Sequence, residues 1–162
     1  MRISDVMRRE PSVCRPETTL AEAGRVMASI DCGILPVVDD RESVLGVVTD
    51  RDICLALTAR NARPSTVFVR DVMNEDVATC RPHHDLREAL GKMRSRRVRR
   101  LPVVSDDGVI EGILSLDDVV LLARGADSPG LGGPLYDELG RTLKSICEHP
   151  LPARIGKVHA AE

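Results

Sequence analysis

Two pairs of residues have the types and spacing to hold a ligand: Thr49 with Asp52, and Ser115 with Asp118, each a hydroxyl followed three residues later by a carboxylate. They sit in matching surroundings, GVVTDRDI at 46–53 and GILSLDDV at 112–119, where an apolar run that starts on glycine meets a helical pattern. A strand that turns into a helix projects the two side chains to the same side. A carboxylate accepts two hydrogen bonds side by side, which the 2′ and 3′ hydroxyls of a ribose can donate. The helix start behind it offers unpaired N–H groups to an anion. Such a corner suits a ribonucleotide. The same residues also read as an ordinary helix start, with Thr49 or Asp50 as the N-cap and acidic side chains favoured in the first turn.

The corners end a longer self-similarity. Residues 5–57 align without a gap on 71–123, a shift of 66. Asp5-Val6-Met7 falls on Asp71-Val72-Met73, Cys14-Arg15-Pro16 on Cys80-Arg81-Pro82, and Leu35-Pro36-Val37-Val38 on Leu101-Pro102-Val103-Val104. Each copy reads β-α-β-β-α. A short strand at SVCRP or VATCRP stops at proline, which lacks the N–H a ladder needs. A helix follows, with Thr19 or Asp85 as its N-cap. In the first copy Leu20, Ala23, Val26, Met27 and Ile30 form its apolar stripe. ILPVV and RLPVV are buried strands. Polar turns lead to a third strand and a second helix. One copy would be marginal alone, so the fold class is α/β, with two copies packed about a pseudo-twofold axis and a cleft lined twice by equivalent residues.

Composition narrows the function. The 162 residues are 43% hydrophobic and 30% charged with a net charge of −2, which provides no global attraction to nucleic acid or anionic membrane. The charged start MRISDVMRREP lacks the apolar centre of a signal peptide, and no apolar run is long enough to span a bilayer. Five cysteines without a C-x-x-C pair point away from disulfides and zinc and towards a reducing cytoplasm. His83 and His84 are adjacent, and neighbours in sequence rarely converge on one metal, so no metal site is expected.

The duplicated unit, with VM near its start, LPVV in its middle and G-h-h-[TS]-x-x-D at its end, resembles the CBS domain, and the tandem resembles a Bateman module. The resemblance covers residues 1 to about 124, with one repeat at 1–66 and the other at 67–124. It implies a non-enzymatic regulatory sensor, commonly a homodimer acting on a protein target. Its ligand would be AMP, ADP or ATP in the cleft between repeats, with S-adenosylmethionine and NAD as further candidates. Carried over by position, Thr49 with Asp52 and Ser115 with Asp118 are the ribose pairs. Thr18, His84, Ala23 and Ala89 match base-pocket positions, although His84 stands where the family more usually has a small hydroxyl residue. Residues just before LPVV often meet phosphate: Arg99 and Arg100 in the second copy, but Gly33 and Ile34 in the first. Asp117 would repel phosphates at the Ser115 corner, whereas its counterpart Arg51 would attract them at the other.

A rival reading comes from RSRRVRR, residues 94–100, with five arginines in seven positions. It could bind nucleic acid. Against that, the chain has one Phe and one Tyr, so bases have almost nothing to stack on. Catalysis has weaker support: no nucleophile lies in an activating motif, and no histidine has an evident acid partner. Beyond residue 124 a turn-rich linker is expected at 125–134, an amphipathic helix at 135–149 and a fraying tail at 150–162. Leu135, Leu139, Leu143 and Ile146 would form the helix's apolar face, docked on its own module or on a dimer mate.

Overall fold

The computed structural model describes residues 1–124 and 134–148. Its elements are β1 (Arg8–Arg9), α1 (Leu20–Ser29), β2 (Ile34–Val38), β3 (Val44–Thr49), α2 (Asp50–Arg60), α3 (Leu86–Arg96), β4 (Arg100–Val104), β5 (Ile110–Ser115), α4 (Leu116–Arg124) and α5 (Pro134–Cys147). The α/β repeat is therefore present twice. Helix α1 starts where its cap residue dictates. Thr19 accepts from the Glu22 N–H at 3.3 Å, and Glu22 returns a bond to the Thr19 N–H at 2.9 Å. The Thr19 hydroxyl, donating to Glu22 Oε2 at 2.7 Å, and then the Thr19 N–H hold the Glu22 carboxyl below its ordinary pKa. Asp85 caps α3 through the Arg87 N–H at 2.9 Å.

Both LPVV strands pair antiparallel with the strand that follows. Ile34 lies opposite Thr49 and Arg100 opposite Ser115, and the register slips at the same place, between Val37 and Val38 and between Val103 and Val104. The short strand expected before each first helix is reduced to one bridging residue, Cys14 beside Val37 and Cys80 beside Val103. The proline inside each LPVV run explains the economy. The Pro36 and Pro102 carbonyls accept from Cys14 and Cys80 N–H at 3.0 Å, but these prolines have no N–H with which to extend the ladder, and the proline that follows each cysteine ends the pairing.

The axis lies where Ser43 bridges Val109, since these residues are equivalent to one another under the 66-residue shift. Around it, Val44 N–H donates to Gly108 O at 3.1 Å and Ile110 N–H to Glu42 O at 2.9 Å. The copies also exchange their leading segments. Ile3 N–H bonds His84 O and Ser4 N–H bonds Pro82 O, while Val69 N–H bonds Thr18 O and Arg70 N–H bonds Pro16 O. Ile3 and Met7 are consequently buried in the core of the second copy, and Val67 and Val69 in that of the first. Core membership crosses the sequence boundary at 66/67.

Helix α5 docks on its own module, against α3 and α4. Leu139, Thr142 and Ile146 form the buried stripe, whereas Leu143, expected on that face, is 39% exposed at its edge. The buried Thr142 hydroxyl is satisfied by Glu138 O at 2.8 Å, and Arg94 pairs with Glu138 across the α3–α5 seam. Pro134, placed in the expected linker, is the first residue of α5, and the rest of that linker and the expected tail lie outside the described residues. Among the described residues no helix is long and apolar enough to cross a membrane.

Two stability predictions follow from this packing. A Cβ at Gly112 would stand 2.6 Å from Arg8 O and 2.9 Å from Met7 Sδ, so Gly112→Ala must push the exchanged leader away. The expected cost is about 1–3 kcal/mol. Gly91→Ala in α3 meets nothing within 4 Å and should instead stabilise, by about 0.5–1 kcal/mol. Thermal melts of the two variants should move in opposite directions. Likewise Leu139→Ala should cost about 2–5 kcal/mol in urea unfolding, and Leu143→Ala no more than about 0.5 kcal/mol. Equal losses would mean that α5 is not docked as described.

Candidate functional site

At the first corner, β3 ends on Thr49 and α2 begins. Thr49 is the N-cap, so the ordinary helix-start reading holds: its hydroxyl accepts from Asp52 N–H at 3.1 Å, and Asp52 Oδ2 accepts from the Thr49 N–H at 3.0 Å and hydroxyl at 2.6 Å. This box uses one carboxylate oxygen. Asp52 Oδ1 has no hydrogen-bond partner among the described residues, and Asp52 lines a cleft. The second corner repeats the box, Asp118 Oδ2 accepting from the Ser115 hydroxyl at 2.6 Å. There Oδ1 is also taken, by Arg8 Nε at 2.9 Å.

The cleft at the first corner has a volume of about 380 Å³ and draws on both copies. Ile34, Val47, Val77, Ala78, Val98 and Pro102 give it apolar walls, with Thr49 and Asp52 at one side. Arg51, Arg97, Arg99 and Arg100 also line it. The side chains of Arg51, Arg97 and Arg99 form no ion pair among the described residues, while Arg100 Nη2 lies 3.5 Å from Asp117 Oδ2. A second hollow of about 540 Å³ adjoins it, sharing Gly33, Asp50, Arg99 and Arg100 and extending to α1 at Gly24 and Ala28. The arrangement can place a flat apolar group between the walls, a diol on Asp52 and anionic groups among the arginines.

The residues singled out in the sequence are distributed unevenly. Thr49, Asp52, Arg51, Arg99 and Arg100 converge on one cleft. Arg99 and Arg100, attached by sequence to the Ser115 corner, line the cleft of the opposite copy, although Arg100 stays tied to its own through Asp117. Thr18 and His84 sit where the exchanged leaders join, each accepting a leader N–H at its carbonyl. His84 Nδ1 lies 3.3 Å from Glu88 Oε2 without a hydrogen bond. Ala23 and Ala89 are at 0% exposure in the two cores. None of these four is on the cleft wall. Asn74, Asp76, Val77 and Ala78 are, and sequence reasoning missed them because the leader exchange brings them there from the other copy.

The other chemistries look different in three dimensions. The run 94–100 is divided: Arg94 pairs with Glu138 and Arg96 with Asp76, while Arg97, Arg99 and Arg100 line the cleft, Arg100 also pairing with Asp117. Arg97 is the C-cap of α3 in the left-handed region (φ 54°), and it and Arg99 line the cleft. Burial pushes the Cys14 thiol up to about 12 and the Cys80 thiol up to about 11, so neither supplies a thiolate near neutrality. Among the described residues no group of His, Cys, Asp and Glu could hold a metal.

Comparison with known proteins agrees with this architecture. The CBS domain family matches the chain twice, at residues 3–59 and 69–125. The CBS domain-containing protein YhcV of Bacillus subtilis is 32% identical over 129 residues, 79% of this chain and 89% of that protein. An inosine-5′-monophosphate dehydrogenase of Methanocaldococcus jannaschii is 35% identical over 105 residues, 65% of this chain but 20% of the enzyme. The chain also spans 60% of protein MK0525 of Methanopyrus kandleri, so it corresponds to only part of these two relatives. Among solved structures, CBSX2 in complex with AMP superposes with a TM-score of 0.67 at 27% identity, covering 78% of this chain and 98% of that one. The duplicated unit, its pseudo-twofold packing and both family matches make this chain a member of the CBS domain family, carrying the domain as a pair.

Proposed function

We propose that the chain is a regulatory sensor that binds an adenine ribonucleotide in the cleft of Thr49 and Asp52. The observation that carries this reading is that Asp52 Oδ1 has no partner among the described residues, on a residue that lines the same cleft as three guanidinium groups without ion pairs among those residues. The ribose diol donates to Asp52, the base lies between Ile34, Val47, Val77 and Val98, and Arg51, Arg97, Arg99 and Arg100 hold the phosphates. Guanidinium binds phosphate through paired hydrogen bonds, and four of them can serve more than one phosphate. This corner therefore favours ADP or ATP over AMP, and all three over adenosine. The AMP bound to CBSX2 supports the adenosine class. S-adenosylmethionine and NAD share the ribose but present less negative charge to the arginines. Five thiols without a disulfide among those described fit a reducing cytoplasm.

The signal leaves through a protein contact. Leu55 and Leu121 occupy the same position in the two copies and are 56% and 60% exposed on α2 and α4. We read them as the seat of a second copy in a homodimer, which then presents the nucleotide state to a target protein.

Two experiments test this reading. Isothermal titration should show AMP binding at least about tenfold more tightly than 2′-deoxy-AMP, since a hydrogen bond to a charged group is worth about 1.5–3 kcal/mol. Asp52→Ala should abolish most of that difference, and equal affinities in the intact protein would remove the ribose role. In light scattering, Leu55→Asp with Leu121→Asp should halve the mass of the particle. An unchanged mass would place the contact elsewhere.

A further inference from the structure

The two corners share a motif and a cap but differ at one contact. Asp118 has both carboxylate oxygens engaged, Oδ2 by Ser115 and Oδ1 by Arg8 Nε at 2.9 Å, and its side chain is only 9% exposed. Asp52, its counterpart, keeps Oδ1 unpartnered among the described residues. The cause lies one strand away. Arg8 stands on β1, opposite Ile113 of β5. The equivalent residue of the other leader is Asn74, which bridges Val47 in the same way. Asparagine is too short to reach across, and its Oδ1 accepts from the Asp76 N–H at 3.0 Å instead.

We infer that Arg8 is a latch that closes the Ser115–Asp118 corner to ribose, so that the chain offers one nucleotide corner although its motif occurs twice. This rests on the nucleotide reading proposed above. A ribose arriving at Asp118 finds Oδ1 already shared with the guanidinium, leaving too few acceptor sites for both hydroxyls of the diol, and must displace Arg8 to seat them. The latch can open, because Arg8 is 73% exposed and water readily takes up the released charge. It is also carried by the exchanged leader, so whatever shifts that leader acts on this corner.

Adenosine is the probe, because it has the diol and no phosphate, and salt then acts on the latch alone. Titration of the wild-type protein should give one adenosine per chain, lost in Asp52→Ala. Arg8→Asn, which installs the residue found at position 74, should give two, and adding Asp118→Ala should return the count to one. The second site should gain about tenfold in affinity over its latched state, the effect of removing one partly exposed charged hydrogen bond. Arg8→Gln repeats the test if melting shows Arg8→Asn to be unfolded. Two sites in the wild type, or one site in both proteins, overturns the latch and leaves the nucleotide reading standing. Weaker binding of AMP by Arg8→Asn would overturn it in favour of Arg8 as a ligand contact. If neither protein binds adenosine or AMP, the nucleotide reading fails and the latch falls with it.

Discussion

The reciprocal exchange of the two leading segments is the constraint from which the rest follows. Ile3 and Val69 are completely buried, each in the core built by the other copy. Full burial of such a side chain contributes about 1.5–3 kcal/mol. Each core is therefore incomplete until the partner copy supplies its leader, and the two halves form one cooperative unit. Gly46 and Gly112 are glycine for the same reason, since the exchanged backbone passes over them: a Cβ would stand 2.8 Å from Asn74 O and 2.6 Å from Arg8 O. The exchange also makes the site. It brings Asn74, Val77 and Ala78 to the cleft of the first copy and lays Arg8 on the carboxylate of the second.

The helix-start reading and the ligand reading of the corner prove to be compatible. A carboxylate has two oxygens, and the cap needs one. Asp52 Oδ2 closes the box with Thr49, which fixes the side chain and leaves Oδ1 outside the box, on a residue that lines the cleft. On the proposed reading the structural role pre-orients the functional one, so little side-chain freedom is left to lose when a diol binds. Arg97 shows a different compromise. It adopts a left-handed conformation at the end of α3, which glycine takes more easily, at a cost of about 1–2 kcal/mol. Its counterpart Asp31 shares that conformation, so the turn belongs to the fold, while the guanidinium is particular to this cleft.

Much of this was legible in the sequence, for local reasons. The two strand runs, the caps Thr19 and Asp85 and the β3–α2 corner are set by neighbours a few residues apart, and an exact 66-residue shift exposed the duplication. The first strand of each copy was overread, because nothing local says that a flanking proline leaves a single bridging pair. On α5 the expected face holds at Leu139 and Ile146, while at Leu143 it shifts by one position, to Thr142 with its satisfied hydroxyl. The cleft walls were the least legible part. Val77 and Ala78 carry no motif, and their placement depends on contacts between residues far apart in the chain.

Divergence between the copies has moved the positive charge to one side. By the 66-residue shift, Arg97, Arg99 and Arg100 correspond to Asp31, Gly33 and Ile34, and Arg51 corresponds to Asp117. The end of α3 and the start of β4 contribute to the cleft of the first copy. Through the pseudo-twofold axis, the end of α1 and the start of β2 stand in the same relation to the Ser115 corner. One corner therefore faces three arginines across the axis and carries a fourth beside its own carboxylate. The other faces an aspartate, a glycine and an isoleucine, and carries Asp117. On the proposed nucleotide reading, this difference in charge favours a ribose with a chain of phosphates at the first corner over the second, independently of Arg8. Duplication supplied two equal frames, and substitutions at a handful of equivalent positions made them unequal without altering a single strand register.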